Sequence, residues 1–254
     1  NSVFFDVNDR ESGRLLVADP FSEVTWASHV DLETGRPVEV PGQRYEDGGP
    51  VRVAPSAWGA HSWHAMSYNP QTGLVYLPAI HFALEYTDQG IDPATWESSR
   101  FEGDTTAVAY NLKEGDMPYI GSLQAIDPTT GALAWEVPLE GKWNSGTLTT
   151  AGGLVFQGRY DGDFVAHDAR TGEVLWRQNL GLGISAPPIT YEVDGKQYIS
   201  LLVGWGGGAA GIANNLEVDH GWAYGRQARR LVTFSLDGEG TLPPQPPPPP
   251  PAPK

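Results

Sequence analysis

Two stretches of this chain carry one pattern. Ala125-Ile126-Asp127-Pro128-Thr129-Thr130-Gly131-Ala132-Leu133-Ala134-Trp135 reads A-x-D-x-x-T-G-x-x-x-W. Ala166-His167-Asp168-Ala169-Arg170-Thr171-Gly172-Glu173-Val174-Leu175-Trp176 reads the same, and the second Trp lies 41 positions after the first. A period near 40 with one Trp per unit points to a β-propeller, with one four-stranded blade per repeat. The residues between the copies parse into four short strands: Gly146 to Thr150, Leu154 to Gln157, Phe164 to His167 and Glu173 to Trp176. Turn chemistry separates each from the next. The Asp can accept hydrogen bonds from turn amides, and the Gly supplies a corner of positive φ. The Trp presents a large flat face and needs a partner for its N–H. Two coincidental hairpins are the competing reading, and five identical positions at identical spacing weigh against it.

Weaker copies extend the array. Asp9 to Gly13 keeps the Asp and Gly, with Val17 in the Trp place. Asp31 to Gly35 keeps Asp and Thr-Gly, with Glu39 in the Trp place. Asn69 to Gly73 keeps Thr-Gly, with Tyr76 one position early. The 254 residues include 31 Gly and 9 Trp, and no segment of a dozen shows convincing helical spacing. That composition suits an all-β protein. At about 40–50 residues per blade the chain holds roughly four to five blades. It enters directly as a strand at Asn1 to Val7, without an initiator Met or a signal peptide, so a portion of a longer propeller is expected.

A formal net charge of −15 argues against nucleic acid as a partner, because phosphate binding needs a basic footprint. No apolar run approaches the ~18 residues of a membrane-spanning helix. Cysteine is absent, which removes disulfides, thiolate metal sites and a C-x-x-C-H haem attachment from this stretch. The tail from Leu242, with an unbroken proline run from Pro246 to Pro251, reads as a polyproline II spacer, with a proline-recognition peptide as the rival. The expected division is therefore a propeller portion over residues 1–240 and a linker over 241–254.

Four blocks carry a resemblance to a known family. They are Val24-Thr25-Trp26 continuing through Val30 to Pro37, then Gly59-Ala60-His61-Ser62-Trp63-His64, then Trp143 to Gly158, and Val203-Gly204-Trp205-Gly206-Gly207. Together with the repeat they resemble the pyrroloquinoline quinone (PQQ)-dependent alcohol dehydrogenases, especially the quinohaemoprotein type. The resemblance covers nearly all of residues 1–240. It implies an all-β fold that is about half of an eight-bladed propeller with tryptophan-docking repeats. It also implies a periplasmic oxidoreductase that takes a small alcohol, transfers hydride to PQQ and passes electrons to a cytochrome c domain carrying haem c. The proline-rich tail is similar to the linker that leads to that domain. The Ca²⁺ ligands, the general-base Asp and the vicinal disulfide of the family lie upstream of the segment matching Asn1, so no metal ligand is assigned in this chain.

PQQ is a flat tricycle with three carboxylates, so its site needs cations or amide donors at the rim and a flat apolar face. The resemblance puts Arg10 at the quinone oxygens, where its charge would stabilise the reduced cofactor; a surface Arg paired with Asp9 or Glu11 is the alternative. Ser62 stands where the family commonly has Asn, and its shorter hydroxyl offers one donor rather than two. Trp63 is a cofactor face or a core Trp. Asn144 is an amide donor or a turn former. Gly204 and Trp205 open a glycine-rich segment whose amides can approach an anion, or a plain closing loop. His61 and His64 have no third ligand nearby, so a hydrogen-bonded structural role is expected for both. Two other functions remain open: a non-catalytic propeller scaffold of the outer-membrane assembly type, and a PQQ sugar or polyol dehydrogenase, with substrate choice resting on inserts such as His81 to Thr106.

Overall fold

The computed structural model describes residues 3–44, 49–87, 119–204 and 229–242, together with 89, 92, 94, 95 and 244. Trp205 and the proline run Pro246 to Pro251 lie outside the described residues. The described residues form strands and turns with no helix. In chain order the strands are β1 (Phe4–Asn8), β2 (Leu15–Pro20), β3 (Ala27–Asp31), β4 (Arg36–Glu39), β5 (Val51–Val53), β6 (Ser67–Asn69), β7 (Leu74–Ile80), β8 (Leu84–Tyr86) and β9 (Gly121–Ile126). They continue as β10 (Leu133–Leu139), β11 (Thr147–Thr149), β12 (Leu154–Gly158), β13 (Asp163–Asp168), β14 (Val174–Asn179), β15 (Ile189–Val193), β16 (Lys196–Val203) and β17 (Arg230–Phe234). All strand pairs are antiparallel.

Blade II is β6-β7-β9-β10 and blade III is β11-β12-β13-β14; blade I contributes the pair β1-β2 and blade IV the three strands β15-β16-β17. The expected run of consecutive four-stranded blades therefore holds for two of them. The chain makes two further ribbons: β3-β4, between blades I and II, and β5-β8, which pairs the approach to blade II with the segment between β7 and β9. The Asp31 to Gly35 turn closes the first of these ribbons. The Asn69 to Gly73 turn joins β6 to β7 instead of the third and fourth strands of a blade. Of the weaker copies, only Asp9 to Gly13 occupies the repeat's structural position, joining β1 to β2.

The repeat works through its turn. Asp127 Oδ1 accepts from the amide and hydroxyl of Thr129, and Asp127 O accepts from the Gly131 amide at 2.8 Å. Asp168 Oδ1 accepts from the amides of Arg170 and Thr171, and Asp168 O from that of Gly172. These donors hold both carboxyls below the usual Asp value, with the Thr129 hydroxyl leading for Asp127 and the Arg170 amide for Asp168. Gly172 takes φ 76°, and the Trp135 ring of blade II lies against it. A Cβ there would sit 2.7 Å from Trp135 Cε3, so glycine is required for space as well as for φ. Trp135 Nε1 donates to Ala169 O at 3.1 Å. Val17 docks in the same way: a Cβ on Gly131 would lie 2.7 Å from Val17 Cγ1.

The last interface differs. Trp176 is 39% exposed, contrary to the largely buried docking position that its repeat predicts, while Trp135 is partly buried. After β17 the chain reads Ser235-Leu236-Asp237-Gly238, without the Asp-x-x-Thr-Gly turn. Trp176 instead packs edge-on against Phe164 and Phe234, at 5.9 and 5.4 Å between centroids. Blades III and IV are joined by an apolar core of Phe156, Phe164, Leu182, Ile184, Leu201 and Val203 among others. Blades II and III share Tyr76, Leu123, Ala125, Val155 and Ala169.

Candidate functional site

Strand direction sorts the candidate residues. In an antiparallel blade, the loop entering the first strand and the turn from second to third lie at one end. The first-to-second and third-to-fourth turns lie at the other. Ser62 and Trp63 precede β6, Asn144 precedes β11, and Gly204 follows the second strand of blade IV, so all four lie at the entry end. Arg10 sits in the third-to-fourth-strand turn of blade I and is exposed. The structure thus does not bring Arg10 to the others, and the quinone contact implied for it has no geometric support. The turn repeat that draws attention to Arg10 is also what carries it to the opposite end of its sheet.

At the entry end the aromatic side chains form a stack. Trp63, 53% exposed, lies on Trp143 with centroids 4.8 Å apart and planes 13° from parallel. His64 stacks on both, 4.6 Å from Trp63 and 5.6 Å from Trp143. Trp143 is fully buried and touches Trp58, which stacks on Phe82 at 5.1 Å. The buried Lys142 places Nζ over the Trp58 and Phe82 rings, 4.6 and 5.1 Å from their centroids. A cation over desolvated aromatic faces is held by their quadrupoles.

Asn144 is buried beside this stack, and its amide is used internally. Nδ2 donates to Gly141 O at 2.6 Å and Oδ1 accepts from the Tyr160 amide at 3.2 Å. The turn-forming role describes it. Ser145, next in sequence, donates from its amide to Gly158 O, and its hydroxyl accepts from the Gly158 amide. The Ile184 amide then donates to Arg159 O and the Gly204 amide to Gly183 O. Asn144 and Gly204 are therefore linked by a continuous run of backbone contacts across blades III and IV. A Cβ on Gly204 would lie 2.7 Å from Arg229 Cγ. Ser62 is half-buried and its hydroxyl has no hydrogen-bond partner among the described residues.

The two histidines part company. His61 Nδ1 contacts Pro78 O at 2.8 Å, the structural role expected of it. His64 is buried, yet neither ring nitrogen has a hydrogen-bond partner among the described residues. Burial, with His61 nearby, lowers its pKa to about 4, so the ring is neutral at pH 7. Trp143 Nε1 is likewise buried without a partner among the described residues. Among the described residues no three His, Asp or Glu side chains converge as a metal site. Trp58, Phe82 and Lys142 carry no sequence signal for this site, and His64, inside a block that resembles the family, was expected in a hydrogen-bonded structural role. Trp143 lies inside the Trp143 to Gly158 block, where the amide of its neighbour Asn144 is the more obvious polar candidate. The arrangement offers a wide flat apolar face on Trp63, a buried cation against the inner rings Trp58 and Phe82, and the half-buried Ser62 hydroxyl beside it.

Residues 49–199 match the PQQ family described as the glucose/ethanol/alcohol dehydrogenase β-propeller domain. The chain is 44% identical over 253 residues to the quinohemoprotein alcohol dehydrogenase ADH IIB of Pseudomonas putida, covering 95% of this chain and 34% of that protein. Among solved structures it resembles the quinohemoprotein alcohol dehydrogenase ADHIIG of Pseudomonas putida HK5, with TM-score 0.82 and 38% identity over 99% of this chain and 37% of that one. It also resembles the quinohemoprotein alcohol dehydrogenase of Comamonas testosteroni, with TM-score 0.79 and 40% identity over 96% and 36%. The chain spans about a third of the length of the curated relatives it matches.

Proposed function

The chain belongs to the PQQ-dependent dehydrogenase β-propeller family, and from that premise we propose that it forms part of the propeller of a quinohaemoprotein alcohol dehydrogenase. The whole enzyme oxidises small alcohols in the periplasm. When bound, PQQ supplies the two-electron acceptor for the hydride leaving the alcohol carbon. The electrons then pass to haem c in a cytochrome c domain, to which the proline-rich tail is the linker. Ca²⁺ is held by residues outside this chain.

The observation that carries this reading is the Trp63–Trp143 stack, whose outer indole is 53% exposed at the entry end of the blades. A planar tricycle fits such a platform, and offset stacking on indole is worth about 0.5–1.5 kcal/mol beyond area burial. Trp63 holds the ring plane. The half-buried Ser62 hydroxyl is a donor for an anionic rim. Gly204 lies at the same end with its amide given to Gly183 O, and Trp205 follows it in sequence. The neutral His64 stacks beneath the platform and keeps its inner side dry. Lys142 biases the local potential toward anions from below. The scaffold alternative needs none of these features. The test is equilibrium binding of PQQ to the whole enzyme, followed by dye-linked alcohol oxidation with and without PQQ. An enzyme that neither binds PQQ nor oxidises any alcohol favours the scaffold.

A further inference from the structure

Beside the tryptophan stack lies a hydrogen-bonded cluster that none of the roles above uses. The chain leaves blade II after Ile80 and re-enters it at Gly121. His81 stands at the exit and Tyr119 just before the return. One carboxylate meets both. Glu136, on the outer strand β10, accepts from Tyr119 OH on Oε2 at 2.6 Å and has Oε1 3.3 Å from His81 Nε2. Gln124 Nε2 donates to Oε1 at 2.8 Å and also to Phe21 O at 2.9 Å. His81 is held on every side: Nδ1 by the Ser22 hydroxyl and Nε2 by that of Ser122, both at 2.8 Å, with Tyr119 edge-on at 5.1 Å. The His81 amide donates to Ile120 O, which ties exit to return through the backbone as well.

Burial opposes ionisation of Glu136, but hydrogen bonds from His81, Gln124, Tyr119 and Ser122 outweigh it and hold the pKa at about 2. The group is a carboxylate at pH 7. It costs desolvation and is retained off the aromatic face. A carboxylate in that position orients its neighbours.

The next residue shows what is oriented. Phe82 stacks on Trp58 at 5.1 Å with planes 22° apart, and its carbonyl accepts from the Ser56 amide at 2.7 Å. Trp58 reaches Trp143, and Trp143 carries Trp63. Phe82 follows His81 directly, so fixing the His81 ring fixes the backbone from which Phe82 projects. We propose that Glu136 is a positioning residue of the site: its carboxylate joins the exit and return of the chain at blade II, and so sets Phe82 against the tryptophan stack that forms the ligand platform. The proposal rests on the reading that this platform binds PQQ. A support of this kind determines whether a binding face is held to a few tenths of an ångström or left loose.

The experiment uses the whole enzyme with Glu136→Leu, Glu136→Gln and Tyr119→Phe. Two readouts are taken: the near-ultraviolet circular dichroism of the cofactor-free protein, which reports the stacked indoles, and the dissociation constant of PQQ. Glu136→Leu is expected to lose much of the indole signal at unchanged far-ultraviolet signal, and to weaken PQQ binding about tenfold. Glu136→Gln keeps the acceptor for Tyr119 and should recover part of both. Tyr119→Phe removes one neutral-to-charged hydrogen bond and should cost about threefold or more in affinity. With saturating PQQ, kcat should stay closer to the parent value than the affinity does. A folded Glu136→Leu protein with the parent's indole spectrum and PQQ affinity overturns the proposal. If that variant does not fold, Tyr119→Phe decides on the same two readouts, and no change in either overturns it. A parent enzyme that binds no PQQ removes the proposed function, while the cofactor-free spectra still decide the positioning role.

Discussion

Trp63 shows how a single side chain can be exposed and yet constrained. More than half of its surface is open, while one face is fixed by Trp143 and His64. Replacing it with Ala should change the melting temperature little, since exposed positions usually contribute within about ±0.5 kcal/mol. PQQ affinity should fall about tenfold or more. A quinone titration beside a thermal melt separates the two effects, and equal losses in both would make Trp63 a core residue. Arg10→Ala should leave turnover near the parent value, because Arg10 lies at the opposite end of its blade; a large loss of kcat would return it to the site. Histidine protonation adds a pH dependence. Burial, with His61 for His64 and with Arg159 and Arg177 for His167, lowers both from 6.5 to about 4, against a smaller opposing effect of the Gly172 carbonyl on His167. Between those values the unfolded chain binds more protons than the folded one. This stability is complete above pH 6.5, is lost as pH falls, and is gone below about 4. Each contribution is on the order of 3 kcal/mol. Melting temperatures from pH 7 to 4 should fall, and His64→Phe should flatten the slope. An unchanged slope would assign the acid sensitivity to other groups.

At the level of the strand and its turn, the repeat is a joint between blades. Gly172 and Gly153 both have φ 76°. A Cβ on Gly153 meets nothing within 4 Å, whereas one on Gly172 meets the Trp135 ring. Gly153→Ala should therefore cost only the left-handed backbone penalty of about 1–2 kcal/mol. Gly172→Ala should cost that plus the displacement of an indole, about 1–3 kcal/mol more. Equal costs in chemical denaturation would mean that the ring is not docked. The two repeat tryptophans should separate in the same experiment. Trp135→Ala loses a docked ring and its hydrogen bond and should cost about 3 kcal/mol or more. Trp176→Ala removes a ring already 39% exposed and should cost clearly less. The difference arises in blade IV, whose final turn lacks the Asp-x-x-Thr-Gly that receives the ring elsewhere.

Over the molecule as a whole, the blades bring one end of several sheets into register. The inner strands β6 and β11 are cross-linked by Ser67–Thr147 and Asn69–Thr149 hydrogen bonds. The loops that precede them, carrying Trp63 and Trp143, therefore meet. Alcohol oxidation belongs to the whole enzyme in this proposal, because base and metal ligands come from outside the chain. Residues 1–254 alone are expected to give no PQQ-dependent turnover in a dye-linked assay, while the whole enzyme does; turnover by the isolated chain would place the base within it.

The repeat period, the Trp places and the Asp-Gly turns were legible because they are local. Each depends on a few neighbouring residues and on the φ that glycine tolerates, and Val17 already stood in the docking place by count alone. The entry-end position of Ser62, Trp63 and Asn144 could be inferred only once strand order was known, and the same order moved Arg10 away. What tertiary structure alone decided was contact between residues remote in sequence: Trp63 on Trp143, Lys142 against Trp58 and Phe82, Glu136 between His81 and Tyr119. No spacing rule encodes these. They arise because close packing of adjacent blades leaves one set of side chains facing another. Asn144 makes the same point in reverse, since its amide could have met a ligand until Gly141 and Tyr160 took both of its ends.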